Sequence, residues 1–239
     1  VVGCGITGSA TCMDKIISHR IAVAEGICVA EHILIDKNMD DIAILSAAER
    51  TGYPLYVKPP REGSSMGLSR VRCPGELEAA LECAFSFDNR AMLEREVRGT
   101  EIGCAVLESD GDLIVGKPDE VELNGAVFNF DEKYSCETAK IIVPARISEI
   151  DTRRVIDAAK RLFDALGCRG FARIDFFLAH DGRLYFNEAN TIPGFTEHSR
   201  FPSMLEAAGL SLEDVLTMAI DGTLAKAETS IDARLLAYA

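Results

Sequence analysis

The sequence predicts an α+β fold of antiparallel sheets flanked by helices, and three features carry that expectation. Asp181-Gly182 separates two apolar, aromatic-rich runs, Gly170 to Phe177 and Leu184 to Asn190. This is a hairpin pattern, because both central residues of a tight type I′ turn need positive φ. Asp110-Gly111 makes a second tight turn between strand-like runs at Ile102 to Leu107 and Leu113 to Val115. Apolar residues recur at helical spacing over Met13 to Glu25 and over Ile150 to Leu166, each closed by a glycine, Gly26 and Gly167.

Bulk properties narrow the partners. A chain of 239 residues can bury a sizeable core, in one large domain or two small ones. Its net charge of -13 argues against nucleic acid and anionic membranes as partners. No apolar run approaches the roughly 20 residues that span a bilayer, and no charged leader with a cleavage site is seen, so a cytoplasmic location is expected. The eight cysteines, Cys4, Cys12, Cys28, Cys73, Cys83, Cys104, Cys136 and Cys168, show no Cys-x-x-Cys spacing. They suggest neither zinc nor a redox motif and are expected mostly as small core residues in a reducing compartment.

In chain order, Val1 to Gly5 reads as the end of a strand or a connection, and the helix Met13 to Glu25 follows. A second helix is expected over Asn38 to Arg50, ended by Gly52, and then a short buried strand, Tyr53 to Lys58, stopped by Pro59-Pro60. Glu62-Gly63-Ser64-Ser65-Met66-Gly67 closes a hairpin whose return strand is Leu68 to Arg72. Its backbone N–H groups and hydroxyls suit an anion, with Lys58 at its base as a point charge. A helix over Glu76 to Phe85 precedes a strand over Ala91 to Val97, and Glu120 to Phe128 is a further strand. Phe130 to Ser135 is a polar excursion before the strand-like Thr138 to Pro144. Beyond the closing hairpin, Pro202 to Ala208 and Leu212 to Ile220 are expected helices, and the weakly patterned tail from Ala225 is expected to fray.

That closing hairpin concentrates the chemistry. With Asp181-Gly182 as the whole loop, His180 pairs with Arg183, which puts Asp175 across from Glu188 and Arg173 across from Asn190. Side chains alternate along a strand, so these four project from one face, with facing Cβ atoms roughly 5 Å apart. Two facing carboxylates call for a cation, and oxygen ligands from Asp175, Glu188 and Asn190 suit Mg2+ or Mn2+. A solvated outer face is the plainer alternative. The Pro/Gly-interrupted loop Thr191 to Pro202 leaves that face where a substrate would be held.

Here Arg173-x-Asp175-Phe176, then Asn187-Glu188-x-Asn190-Thr191-x-Pro193-Gly194-Phe195-Thr196 and His198-Ser199, resembles the C-terminal domain of the D-alanine-D-alanine ligases, within the ATP-grasp superfamily. Met13-Asp14-Lys15, Lys58-Pro59 with Glu62-Gly63-Ser64-Ser65-x-Gly67, and Lys133-Tyr134 resemble further segments of the family. The resemblance implies an ATP-grasp fold whose two α+β subdomains, residues 1–93 and 94–239, sandwich ATP between antiparallel sheets. It also implies that the family's N-terminal Rossmann-like domain is absent, so that the chain is expected to be a fragment.

By the same resemblance, Lys15, Lys58, Lys133 and the loop residues Glu62, Gly63, Ser64, Ser65 and Gly67 would bind the nucleotide's phosphates. Glu94, Arg95 and Val97 would meet the adenine, and Glu101 the ribose or its hydrogen-bond network. Lys133 and Tyr134 would sit on an omega loop that closes over the γ-phosphate, with Tyr134 bonding toward Ser64 and Glu101. Asp175, Glu188 and Asn190 would hold Mg2+ or Mn2+.

The implied reaction joins D-alanine to a second D-amino acid through an acyl phosphate, for peptidoglycan precursor synthesis. Phosphoryl transfer asks the protein mainly to position and neutralise. The amine's attack then puts negative charge on a tetrahedral oxygen, for which Arg173 and the N–H of Gly194 are the candidate donors. Lid closure would keep water from the acyl phosphate. Ser199-Arg200 bears on the second substrate, because the sequence Phe195 to Pro202 is similar to Phe-Thr-x-His-Ser-Arg-Tyr-Pro of the D-alanine-D-serine ligases of vancomycin resistance. The Arg200 guanidinium can donate to a serine hydroxyl that alanine lacks, so D-serine is the expected preference. The alternatives are an ATP-binding fragment without ligase activity, a D-alanine-D-alanine ligase proper, and another ATP-grasp ligase. Family members are often dimers, so a homodimer is one expectation.

Overall fold

A computed structural model describes residues 1–123 and 139–236, with 123, 139 and 226–236 described by backbone alone. Two antiparallel sheets organise it. The smaller contains β2 (His32–Asp36), β3 (Leu55–Lys58), β4 (Ser69–Val71) and β5 (Arg90–Arg95), in the order β2-β5-β3-β4. Helices α3 (Asp41–Thr51) and α4 (Leu77–Phe85) cover one face, burying Ile44, Ala48, Leu81 and Ala84 against Ile35, Leu55, Val57 and Leu93.

The larger sheet runs β1 (Cys28–Val29), β11 (Leu184–Asn190), β10 (Phe171–Ala179), β6 (Gly99–Ser109), β8 (Asp119–Leu123), β9 (Ala139–Ile142), with β7 (Asp112–Val115) folded back on β6. Strand alternation sends Cys104 and Val106 of β6 to one core, with α5 (Glu149–Ala165), and Ala105 and Leu107 to the other, with α6 (Arg200–Glu206) and α7 (Leu212–Leu236). Both faces of β6 are therefore covered, which explains its unbroken buried run. Phe163 and Phe186 are fully buried in the first of these cores, where truncation to alanine is expected to cost about 3–5 kcal/mol.

The helix starts follow from local chemistry. Asp14 accepts from the N–H groups of Ile16 and Ile17 at the head of α2 (Lys15–Ala24), and Asp40 does the same for Ile42 and Ala43 of α3. Gly26, Gly52 and Gly167 take positive φ beyond the ends of α2, α3 and α5.

Three expectations change. An unexpected helix, α1 (Ile6–Met13), occupies the chain after Gly5, and a Cβ on its Gly8 would lie 2.5 Å from the Gly167 carbonyl oxygen. Its small residues let α1 lie against the end of α5, and they give no apolar stripe to read. Residues Cys4, Cys12, Ala22 and Ile27 pack in the core of the large sheet, so the chain's start belongs there and not with 30–93. A boundary after residue 93 would cut β5, whose Glu94 and Arg95 still pair with His32 and Leu55. The tail does not fray at Ala225, because α7 continues to Leu236. Most of the described cysteines are core residues as expected, Cys4, Cys12, Cys104 and Cys168, while Cys28, Cys73 and Cys83 are exposed.

Candidate active site

The expected pairs are present. Arg173 stands across from Asn190 and Asp175 across from Glu188. The route to that register differs from the two-residue turn. Ala179 donates to the Arg183 carbonyl, so the loop has three residues, with Gly182 at φ 80°. Phe176 faces Phe186 and Asp175 faces Glu188, leaving Asn187 as the extra residue of a bulge. The longer loop and the bulge shift the register in opposite directions and cancel.

Asp175 is 2% exposed and heavily compensated. Arg173 grips it with Nε at 2.8 Å from Oδ1 and Nη2 at 2.8 Å from Oδ2, and Asn190 donates from Nδ2 at 2.9 Å. Burial opposes the charge of Arg173, but Asp175 outweighs it and raises the guanidinium's pKa. Glu188 pairs with the buried Lys15 at 3.2 Å, and Lys15 also donates to the Glu62 carbonyl at 2.6 Å.

A cavity of about 590 Å³ opens between the two sheets. Lys15, Lys58, Glu62, Gly63 and Ser65 line it, as do Glu94, Arg95, Val97, Glu101 and Glu188. Inside, Lys58 Nζ lies 2.7 Å from Glu94 Oε1, with both side chains about nine-tenths buried. Burial would raise the Glu94 pKa, yet the charge of Lys58 and its hydrogen bond hold it below the ordinary glutamate value. Ser64 and Ser65, at φ 52° and 60°, and Gly67, at 70°, give the 62–67 loop its left-handed backbone. A Cβ on Gly67 would come within 2.9 Å of Phe87 and Pro59.

Beyond Glu101 the wall continues as an acid-guanidinium network. Arg200 Nε and Nη2 bind Asp119 at 2.7 and 2.8 Å, Nη1 binds Glu101 at 3.0 Å, and Nη2 lies 3.9 Å from Asp175. Burial opposes the Arg200 charge, but Asp175, Asp119 and Glu101 together raise its pKa well above the ordinary value. From its sequence context Arg200 is expected at the substrate. In the structure the same guanidinium also anchors α6 to β8 through the fully buried Asp119, which no local sequence pattern reveals. Gly194 meets Ser199, whose Oγ would be 2.7 Å from a Cβ on that glycine, and Thr196 N–H donates to the same Oγ at 3.1 Å. Phe177, which shares the Asp175 face, lines the cavity with Tyr56, Val121 and His180, none singled out from sequence. Lys133 and Tyr134 lie outside the described residues.

Asp175, Glu188 and Asn190 fit a hard divalent ion in donor chemistry. All offer oxygen, the Asn190 amide oxygen remains beside its Nδ2 contact, and both carboxylates already draw cations. Among the described residues no three His, Cys, Asp or Glu groups form a metal cage. Two carboxylates are nonetheless the usual Mg2+ complement when phosphates supply the remaining ligands.

The family model described as the D-ala D-ala ligase C-terminus matches residues 21–221. The vancomycin C-type resistance protein VanC2 of Enterococcus casseliflavus is 43% identical over 216 residues, spanning 90% of this chain and 61% of that protein. D-alanine--D-alanine ligase A of Chromobacterium violaceum is 40% identical over 227 residues, 94% of this chain and 62% of its own length. The crystal structure of the VanG D-Ala:D-Ser ligase from Enterococcus faecalis superposes with a TM-score of 0.84 at 43% identity, over 92% of this chain and 64% of that one. The chain thus spans a little under two thirds of the length of these curated relatives, and its mixed α and β architecture is that of the ATP-grasp ligases.

Proposed function

Because the chain belongs to the D-alanine-D-alanine ligase family, we propose that its protein is an ATP-dependent ligase joining D-alanine to a second D-amino acid, D-serine in preference to D-alanine. The observation that carries this reading is the bridge made by Lys15, whose ammonium joins the Glu62 carbonyl of the anion loop to the Glu188 carboxylate of the hairpin. A triphosphate lying along that bridge would reach the loop and the oxygen ligands at once. A cytoplasmic location and a homodimer belong to the same reading; among the described residues no helix is long and apolar enough to cross a membrane.

Lys15, Lys58 and the 63–67 backbone would neutralise the triphosphate from one side, while Glu94, Arg95 and Val97 receive the base. Asp175, Glu188 and Asn190 would hold Mg2+ or Mn2+, which when bound shields the phosphate charge. Arg173, fixed through Nε and Nη2 by Asp175, keeps Nη1 for the oxygen that becomes negative as the amine attacks, together with the N–H of Gly194. Such a donor is worth roughly 3 kcal/mol. Residues 130–135, with Lys133 and Tyr134, would close the cavity and keep water from the acyl phosphate.

The commitment of Arg200 to Asp119 and Glu101 favours one second reading, in which Arg200 only holds α6 and the second substrate is D-alanine. ADP release with D-alanine alone and with D-alanine plus D-serine, for the wild type and Arg200→Leu, decides between them. The measurement is made on the chain by itself and joined to the family's N-terminal domain. D-Serine-stimulated release that Arg200→Leu abolishes is expected. D-Alanine turnover of equal size that the variant leaves unchanged would favour the second reading. Nucleotide binding without amino-acid-dependent ADP release in either form would leave a nucleotide-binding module.

A further inference from the structure

We infer that His19 is a positioning residue of the metal site, a strap that holds the β11 bulge at Asn187 and so keeps Glu188 opposite Asp175. The inference deepens the ligase reading above and rests on it. Helix α2 meets β11 through two residues one turn apart, Lys15 and His19, which share a helix face. Lys15 pairs with Glu188, and His19 Nε2 lies 2.8 Å from the carbonyl oxygen of the preceding residue, Asn187. A carbonyl can only accept, so Nε2 carries the hydrogen.

The register makes that single bond consequential. Near the turn Phe177 faces Tyr185 and Phe176 faces Phe186; continued one step, that register would put Asn187 opposite Asp175. Glu188 would then turn to the other face, because a one-residue slip reverses every side chain that follows. The bulge at Asn187 restores Glu188 to the Asp175 face and leaves Asn187 without a Cα partner across the ladder. His19 supplies a donor to the carbonyl at that point. The ring is 1% exposed and is fixed edge-on against His32, with centroids 5.1 Å apart, and against Phe186, at 5.7 Å. Among the described residues its buried Nδ1 has no hydrogen-bond partner, so there the ring's polar contact goes to the bulge.

Three variants test the strap by Mn2+ binding, measured by electron paramagnetic resonance in the presence of a non-hydrolysable ATP analogue, alongside thermal unfolding. His19→Phe keeps the ring and removes the donor. His19→Gln keeps an N–H near the Nε2 position, and His19→Asn is polar but too short to reach. Orienting partners behind a metal ligand are typically worth 10–100-fold in metal affinity. His19→Phe and His19→Asn are therefore expected to weaken Mn2+ binding at least tenfold, with metal-free nucleotide affinity unchanged within about twofold, and His19→Gln to stay near wild type. If His19→Phe does not fold, the Gln and Asn pair decides. Mn2+ affinity equal in all variants, even with lowered thermal stability, would reduce His19 to a packing residue and overturn the inference while leaving the ligase reading intact. A wild type that binds the nucleotide analogue but no Mn2+ would remove both.

Discussion

The two hairpins that frame the cavity are built on opposite terms. β10 and β11 lie inside a seven-stranded sheet, with β6 paired along the other side of β10, and their polar face is locked by Arg173, Asn190 and Lys15. β3 and β4 end the small sheet, β4 is an edge strand of three residues, and the connecting loop holds Ser64 and Ser65 in left-handed backbone. The closing hairpin is thus preorganised by charge and packing. The Gly/Ser loop is shaped by backbone geometry and tethered through Glu62 to Lys15. In the proposed reading, chemistry that depends on fixed oxygen ligands would sit on the charge-locked member, and anion capture on the loop shaped by its backbone.

The contrast can be broken at either end. Asp175→Ala leaves the largely buried Arg173 and Arg200 guanidinium groups without their shared carboxylate, and should cost about 3–5 kcal/mol by urea unfolding. A loss under 1 kcal/mol would mean that this face is not locked by charge. The next effect concerns pH. Burial lowers the pKa of His19 to about 4, whereas an unfolded histidine takes up a proton near 6.5. Its contribution is intact above pH 6.5 and falls by up to about 3 kcal/mol as the pH drops to 4. His19→Gln should flatten that limb, and equal slopes in wild type and variant would show that His19 does not stay neutral.

Gly194→Ala should lower ligase turnover about tenfold by displacing the Ser199 hydroxyl, with stability changed by less than about 1 kcal/mol. Unaltered turnover would separate this loop from the substrate. The smallest effect is expected at the adaptable hairpin. Ser65→Gly should change stability by no more than about 1 kcal/mol, because relief of the positive φ offsets the added freedom of the unfolded chain. A larger loss would show that the loop is as rigid as its counterpart.

Much of this was legible because the signals were local. Asp-Gly turns, helix-ending glycines and amphipathic stripes gave the elements, and alternation put Arg173, Asp175, Glu188 and Asn190 on one face. The register was right only through cancellation, since neither the three-residue loop nor the bulge at Asn187 has a sequence mark of its own. Asp119 was missed because its partner Arg200 lies 81 residues away. The strap from His19 to Asn187 spans 168. Helix α1 was missed because Gly8 and Ser9 weaken its pattern, although Gly8 serves its close packing on Gly167.

The most direct test is a crystal structure with Mn2+ and a non-hydrolysable ATP analogue, the ion located by its anomalous signal. The expected result is a triphosphate in the cavity along Lys15 and Lys58, with manganese at roughly 2.0–2.2 Å, near octahedral bonding distances, from oxygens of Asp175, Glu188 or Asn190. Manganese bound elsewhere, or a nucleotide outside the space between the two sheets, would contradict it.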